Sequence, residues 1–443
     1  MNMRGKKALV IGLGKSGIAA CQYLAAQGAR VVADDSKLGH HDPKLVEGMD
    51  LIVVSPGVPL NLPLIQRARE RKIPVISEME LALTTVGAVR EPPLREKPII
   101  AITGTNGKTT TTSLIAHLLK ACGQKVCVAG NIGTPLIAMI DEARTSDWIV
   151  LEVSSFQLET TPSLHPQVAV WLNATPDHLD WHGSFEDYVA AKRKIFEQLP
   201  PDGYGIYNDR DEVVTKAVAQ VGAGFKPVPT FIPFGRGTAC RAPTFDFTKT
   251  KLVGVHNEEN MKAAVLAVEC CLGNDKKDIF QHALETFRPL PHRLEFVREV
   301  NGVRYYDDSK GTNVGATVKA LESFTSPIIL IAGGRDKGGS YDPLLPLVKK
   351  HVKHLIVIGE AAAVLQKTVG SVAITTRAAS LEEAVLLAAR TSKAGDVVLL
   401  SPACSSFDMF RDYAHRGEVF QGAVRSLGNT GKNGSERITQ AAL

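Results

Sequence analysis

Apolar residues along the chain fall into short continuous runs, each closed by Gly, Asp, Asn or Ser and followed by a stretch with helical spacing. Residues 8–11, 29–33 and 51–54 read as strands, with a helix through 19–26 between the first two. Runs that are apolar throughout, rather than alternating, belong to strands covered on both faces, as in parallel sheets. The same pattern returns at 99–102, 125–129, 148–151 and 168–172, with an apolar helix over 114–119. It returns again at 295–300, 303–306, 328–332, 354–358 and 397–401. Asn301-Gly302 separates the first two of these last runs, and that dipeptide predicts a tight hairpin.

Strands alternating with helices predict an α/β protein with doubly wound, mainly parallel sheets. A charged, Pro-rich stretch at 90–98 and the Leu290-Pro291-His292 break divide the chain. Three domains are expected: 1–91, Rossmann-like; 92–289, central, with a P-loop ATPase-like parallel sheet; and 290–428, Rossmann-like again. The polar, unpatterned tail 429–443 is expected to be disordered. A length of 443 residues exceeds what one core supports and suits such a division.

Composition removes whole classes. With 44% hydrophobic and 22% charged residues the chain has a soluble globular profile. No apolar run approaches the roughly 18–20 residues of a membrane-spanning helix, so no membrane insertion is expected. The start is basic and then apolar, but Gly12, Gly14 and Lys15 break that run at once, which favours a buried strand over a signal peptide. The net charge of +5 is spread without basic blocks, so no nucleic-acid partner is expected. Seven cysteines without a CxxC pair suit a reduced, cytoplasmic chain.

Two glycine-rich loops carry chemistry. Gly12-Leu-Gly14-Lys-Ser-Gly17 follows a strand and opens a helix, and Asp34 and Asp35 end the next strand. This suits a nicotinamide dinucleotide, any other nucleotide diphosphate, or close packing without a ligand. The second loop, Gly104-Thr105-Asn106-Gly107-Lys108-Thr109-Thr110, follows the strand at 99–102. Its backbone N–H groups can wrap phosphates, Lys108 can neutralise their charge, and the Thr109 hydroxyl can reach Mg²⁺. The first glycine of the usual motif is replaced by Ile102, so the loop is a variant. Two such loops suggest an ATP-driven enzyme whose other substrate carries a nucleotide diphosphate. Glu152 and the Asn173–Asp177-His178-Leu-Asp180 segment end later strands, where metal ligands belong. Lys192 on a following helix reads by pattern alone as a solvated lysine.

Further motifs fall in register with a known family. Gly104-Thr-Asn-Gly-Lys-Thr109, Gly130-Asn131-Ile-Gly133, Glu152-Val-Ser-Ser-Phe-Gln157, Asp177-His178-Leu-Asp180, His256-Asn257-Glu-Glu-Asn260, Pro291-His292-Arg293, Asp308-Ser309-Lys310-Gly-Thr312-Asn313, Gly333-Gly334-Arg-Asp-Lys337 and Ser401-Pro-Ala-Cys-Ser-Ser-Phe407-Asp occur in this order. Together they resemble the bacterial Mur ligases over everything but the tail. The short first block with its GxGxxG, and the absence of an Asp-Asn-Pro-Arg motif, point to the branch that adds D-glutamate. Other branches add different amino acids and are the nearest alternative; a nicotinamide-dependent oxidoreductase is the alternative from another class.

The resemblance implies an ATP-dependent ligase that joins D-glutamate to UDP-N-acetylmuramoyl-L-alanine through an acyl phosphate, in cytoplasmic peptidoglycan precursor synthesis, as a monomer. It implies two Mg²⁺ ions, replaceable by Mn²⁺, held by Thr109, Glu152, His178 and a carbamate on Lys192. Lys108, Glu152, His178 and Lys192 would be catalytic. Gly104 to Thr110, Asn257, Asn260, Arg293 and Asp308 would face ATP. Lys310, Thr312, Lys337, Ser406 and Phe407 would face D-glutamate. Gly14, Lys15, Ser16, Asp34, Asp35, Ser36, Gly57, Asn131 and Ser154 would face the UDP-substrate. A helix N-cap region before Phe410 is the lesser alternative for Ser406 and Phe407, His256 reads equally as structural, and Arg335 and Asp336 are left without a role.

Overall fold

The computed structural model describes residues 3–36, 42–84, 96–222, 229–235, 245–252, 254–288, 290–336 and 338–427. Lys337, the tail, Pro289 and most of the expected linker lie outside these residues. Among the described residues the strands form three sheets.

The first sheet holds β1 (Lys7–Ile11), β2 (Arg30–Asp34), β3 (Leu51–Val54) and β4 (Val75–Ser77) in the order β2-β1-β3-β4, all parallel. The second holds β5 (Ile99–Thr103), β6 (Val126–Gly130), β7 (Trp148–Glu152), β8 (Val168–Trp171), β9 (Tyr204–Asn208) and β10 (Thr230–Phe234). Its order is β10-β9-β8-β5-β7-β6, again wholly parallel. The third holds β11 (Glu295–Val300), β12 (Val303–Asp307), β13 (Ile328–Gly333), β14 (Val352–Ile358), β15 (Ile374–Arg377) and β16 (Val397–Leu400). Its order is β11-β12-β16-β13-β14-β15, with only β11 and β12 antiparallel. The α/β class expected from the sequence holds, with two parallel sheets and one mixed.

The period of two shows directly in the cores. On β13, Ile328, Leu330 and Ala332 enter one apolar cluster, while Ile329 and Ile331 enter the cluster on the opposite face. On β1, Ala8 and Val10 face one cluster and Leu9 and Ile11 another. The first of these clusters continues through Ile99, Ala101, Ile149 and Leu151 of the second sheet, so the first two sheets share a core. Accordingly the described residues before 251 and from 259 to 287 form one compact unit, and those of 251–258 and from 288 onward form another.

The expected hairpin is present. Asn301 and Gly302 both adopt positive φ, 52° and 76°, between β11 and β12, as a two-residue turn of the I′ kind requires. Four strands went unforeseen, and three of them are sheet edges: β4, β10 and β15. An edge strand carries less apolar signal, and Pro233 in β10 is tolerated only where no partner needs its N–H. The fourth, β9, is interrupted by Gly205, whose missing side chain makes room for the Phe231 ring: an added Cβ would stand 2.5 Å from it.

Candidate active site

β5 ends at Thr103, the chain turns through the glycine-rich loop, and a helix Lys108–Ala121 leaves it. Gly104 and Gly107 hold φ of 152° and 85°, conformations that side-chain-bearing residues avoid. At Gly107 a Cβ would lie 2.4 Å from Asn260 Oδ1, so the close approach also requires glycine. The loop is clamped from behind by Asn173 at the end of β8. Its Oδ1 accepts from the N–H groups of Thr105 at 3.0 Å and Asn106 at 2.8 Å, and its Nδ2 donates to the Asn106 carbonyl. The Thr105 hydroxyl shares a 2.8 Å hydrogen bond with Tyr188. Lys108 folds over the loop, donating at 2.9 Å to the carbonyls of Gly104 and Thr105. Thr109 and Thr110 follow it in the first helical turn, and Thr111 donates to Asn260 Oδ1.

Lys192, on the helix Phe185–Glu197, is not a solvated lysine. Its side chain is buried, its Nζ donates to the Gly104 carbonyl at 3.0 Å, and it sits 4.5 Å from the centre of the Tyr188 ring. Burial, reinforced by the charge of Lys108, drives its pKa well below the ordinary lysine range, against the smaller opposing pull of Asp177 and Glu152. Glu152, the last residue of β7, is also buried. Its Oε1 accepts from Asn131 Nδ2 at 2.9 Å, but its Oε2 has no hydrogen-bond partner among the described residues. A buried carboxylate oxygen left bare costs free energy unless a cation faces it. That orphaned oxygen, with the Thr109 hydroxyl at the head of the helix, is a donor set suited to a hard divalent cation. His178 takes a left-handed conformation, φ 55°, with its Nε2 3.7 Å from Asp177 Oδ2 and its ring edge-on to Phe156.

The first loop is built for close backbone approach. At Gly17 a Cβ would fall 1.8 Å from the Gly12 carbonyl oxygen, whereas at Gly14 it would meet nothing within 4 Å. Gly17 is therefore a packing residue, and Gly14 leaves open space at the start of the helix Lys15–Ala26. Replacing Gly17 by alanine is expected to cost about 2 kcal/mol or more, read as a lowered midpoint of thermal unfolding, because the clash is with backbone. Asp35 accepts from the Leu13 N–H at 2.6 Å, bracing the loop, and Asp34 is largely buried at the end of β2. Ser36 is exposed beside them, and Gly57 lines a cleft with Ser77, Phe156, Gln157 and Trp181. Ser154 closes a capping box with Gln157 on the helix Ser155–Glu159, so its side chain is already occupied.

In the second unit, Asp308 follows β12 and is buried. It accepts from the Ser401 hydroxyl at 2.8 Å, and burial pushes its pKa up to about 7. The preceding Asp307 binds His292 Nδ1 at 2.7 Å, a hydrogen bond that raises the histidine's pKa. His292 holds φ 61° and its carbonyl accepts from the Lys310 N–H, so this pair shapes the segment bearing Arg293 and Lys310. Lys310 Nζ lies 3.7 Å from the centre of the Tyr413 ring, and the Thr312 N–H bonds back to the Lys310 carbonyl. Ser406 is buried in a turn whose carbonyl accepts from the Phe410 N–H, and Phe407 is 62% exposed. The next helix, Tyr413–Ser426, is capped by Asp412 and not by Ser406. Asn257 and Asn260 are both buried on the helix Val255–Leu272. His256, on the same helix, has its pKa lowered to about 4 by burial first and Lys319 second. Asp336 accepts from the Tyr341 hydroxyl and Arg335 forms an exposed pair with Glu360.

Asn173, Tyr188 and Tyr413 were not foreseen as site residues. Asn173 stood in the sequence only as a strand end, and neither tyrosine sits in a signature spacing. A phosphate-cradling loop at the carboxyl edge of a parallel sheet, with a buried lysine and a bare carboxylate beside it, defines an α/β protein that handles nucleotide phosphates. The chain belongs to the Mur ligase family. Residues 102–268 match the Mur ligase middle domain, and residues 292–404 match the Mur ligase glutamate ligase domain. It is 46% identical to the UDP-N-acetylmuramoylalanine–D-glutamate ligase of Geotalea daltonii, over 96% of this chain and 99% of that protein. It is 44% identical to the enzyme of the same name from Geobacter sp. strain M21, over 96% and 99%. Among solved structures it shares its fold with MurF ligase from Thermotoga maritima, crystallised with ADP (TM-score 0.59, 18% identity, 96% of each chain). No helix among the described residues is long and apolar enough to cross a membrane.

Proposed function

We propose that this chain is an ATP-dependent amide ligase of peptidoglycan precursor synthesis, joining D-glutamate to UDP-N-acetylmuramoyl-L-alanine. The observation that carries the reading is the 46% identity to a ligase of that specificity across nearly both whole chains. The phosphate loop, bare Glu152 oxygen and buried Lys192 supply the chemistry such a ligase needs. The alanyl carboxylate oxygen attacks the γ-phosphorus of ATP, the bond to the β-phosphate oxygen breaks, and ADP leaves an acyl phosphate. The amine of D-glutamate then attacks the acyl carbon, and the tetrahedral adduct loses phosphate and a proton to give the amide.

The obstacle in the first step is charge, since an anion must approach a triphosphate. Lys108 answers it by exchanging its loop carbonyls for phosphate oxygens, while the amides from Gly104 to Thr110 cradle the chain of phosphates. Thr109, Glu152, His178 and a carbamylated Lys192 would hold Mg²⁺, which when bound screens phosphate charge. Asn257, Asn260, Arg293 and Asp308 would face the nucleotide. Lys310, Thr312, Lys337, Ser406 and Phe407 would face D-glutamate, with Tyr413 holding Lys310 in place. Gly14, Lys15, Ser16, Asp34, Asp35, Ser36, Gly57, Asn131 and Ser154 would face the UDP-substrate. The domains would divide at 91/92 and 289/290, and the protein would act as a cytoplasmic monomer.

Phosphate release in a coupled assay is expected only when ATP, UDP-N-acetylmuramoyl-L-alanine and D-glutamate are all present. Equal turnover with L-glutamate or L-lysine would overturn the specificity.

A further inference from the structure

The cleft between the first sheet and the second has a wall with an unusual donor. Trp181 packs its indole against Phe156, with ring centres 4.6 Å apart, and lines the cleft together with Gln157, Gly57 and Val58. Its Nε1–H is buried and has no hydrogen-bond partner among the described residues. Gln157 is 1% exposed; its Oε1 is spent on the Ser154 N–H and hydroxyl, and its Nε2 has only the buried Glu78 carboxyl beside it among the described residues. Two buried N–H donors in one wall are an unmet demand for an acceptor. Part of the demand at Gln157 is met by Glu78, whose buried carboxyl lies behind it, yet Nε2 carries two hydrogens. Among the described residues the indole N–H has no such neighbour.

The charge of the wall selects the acceptor. Among the described residues lining this cleft none is ionisable in the physiological range; they are aliphatic, aromatic, hydroxyl and amide side chains and a glycine. A diphosphate or a carboxylate would gain no counter-charge here and would lose its hydration. The lysines for the substrate's charged ends lie elsewhere, at Lys15 by the first loop and at Lys108 by the second. What suits the wall is a neutral group pairing a carbonyl oxygen with an apolar surface.

We propose that Trp181 is a specificity-determining residue, its indole N–H donating to the carbonyl of the acylamino group on the UDP-linked sugar while the Phe156 and Trp181 rings cover the sugar's apolar face. This rests on the UDP-sugar reading above and names the part of that substrate the cleft takes.

The test compares UDP-N-acetylmuramoyl-L-alanine with its N-deacetylated counterpart, in wild type and in Trp181→Phe, by calorimetric binding and by KM. The phenyl ring keeps most of the packing and removes only the donor. Trp181→Phe is expected to weaken the acetylated substrate by roughly 3- to 10-fold, the worth of one hydrogen bond, and the deacetylated one much less. KM for ATP and D-glutamate and the unfolding midpoint should stay near wild type. Equal weakening of both sugar substrates, or none, would overturn the proposal. Normal wild-type turnover with unchanged acetyl preference in the variant would sink this inference alone. Absence of wild-type binding and turnover with the acetylated substrate would instead remove the underlying functional reading, and this inference with it.

Discussion

Lys192→Ala is expected to lose about 10³-fold in ligase turnover, the scale of removing one preorganised electrostatic group, and to regain part of it in acetate or formate. The reason lies in where the amine sits. It is buried, it donates to the Gly104 carbonyl, and Lys108 adds repulsion to the cost of its charge. Both effects favour the neutral amine, the form that can attack carbon dioxide. The balance is simple: the nitrogen lone pair bonds to the carbon of CO₂, and one proton leaves to solvent. The product is an anion standing where an ammonium would repel Lys108 and any metal ion near Glu152. Alanine removes that anion and leaves a space that a small carboxylate can enter. Lys192→Arg, which cannot form the carbamate and fills the space, should be equally impaired but not rescued. Unaltered turnover in Lys192→Ala would refute the role, and equal rescue of both variants would show that acetate acts elsewhere. The unfolding midpoint of each variant separates lost chemistry from lost fold.

The central strands β5, β7, β8, β13 and β16 were legible in the sequence because burial on both faces demands unbroken apolar runs. The phosphate loop was legible because only glycine tolerates its backbone, so the constraint is written in the residue types themselves. Side chains recruited over long separations were not legible. Asn173 clamps a loop 68 residues away, and Glu78 accepts from an Ile137 N–H 59 residues away. Lys192 is the sharpest case. On a helix with an exposed face a lysine is ordinarily solvated, and only the tertiary packing of Tyr188 and the loop buries it. The alternative reading of Ser406 as a helix cap does not hold, since Asp412, directly before the helix, caps it instead.

Glu152→Gln should separate stability from activity in opposite directions. Glu152 brings a negative charge into a buried position, and among the described residues only one of its two oxygens finds a hydrogen-bond partner. Without a cation the bare oxygen has surrendered its hydration for nothing, a penalty of about 1–3 kcal/mol, more if the group is charged. Glutamine has nearly the same shape, can still accept from Asn131 through its carbonyl, and carries no charge to desolvate. In metal-free buffer the variant should therefore unfold a few degrees higher, as about 1 kcal/mol raises the midpoint of a unit this large by roughly 2–4 °C. Turnover should fall by about 10²–10³-fold, and the Mg²⁺ concentration giving half-maximal rate should rise, because an anionic ligand has been withdrawn. Added Mg²⁺ should also stabilise wild type more than the variant, since a ligand that binds the folded state raises its midpoint in proportion to affinity. A variant less stable than wild type, with an unchanged Mg²⁺ requirement, would mean that Glu152 is a structural acceptor for Asn131 and holds no metal. The two measurements fail independently, so the pair distinguishes a carboxylate kept for its charge from one kept for its shape.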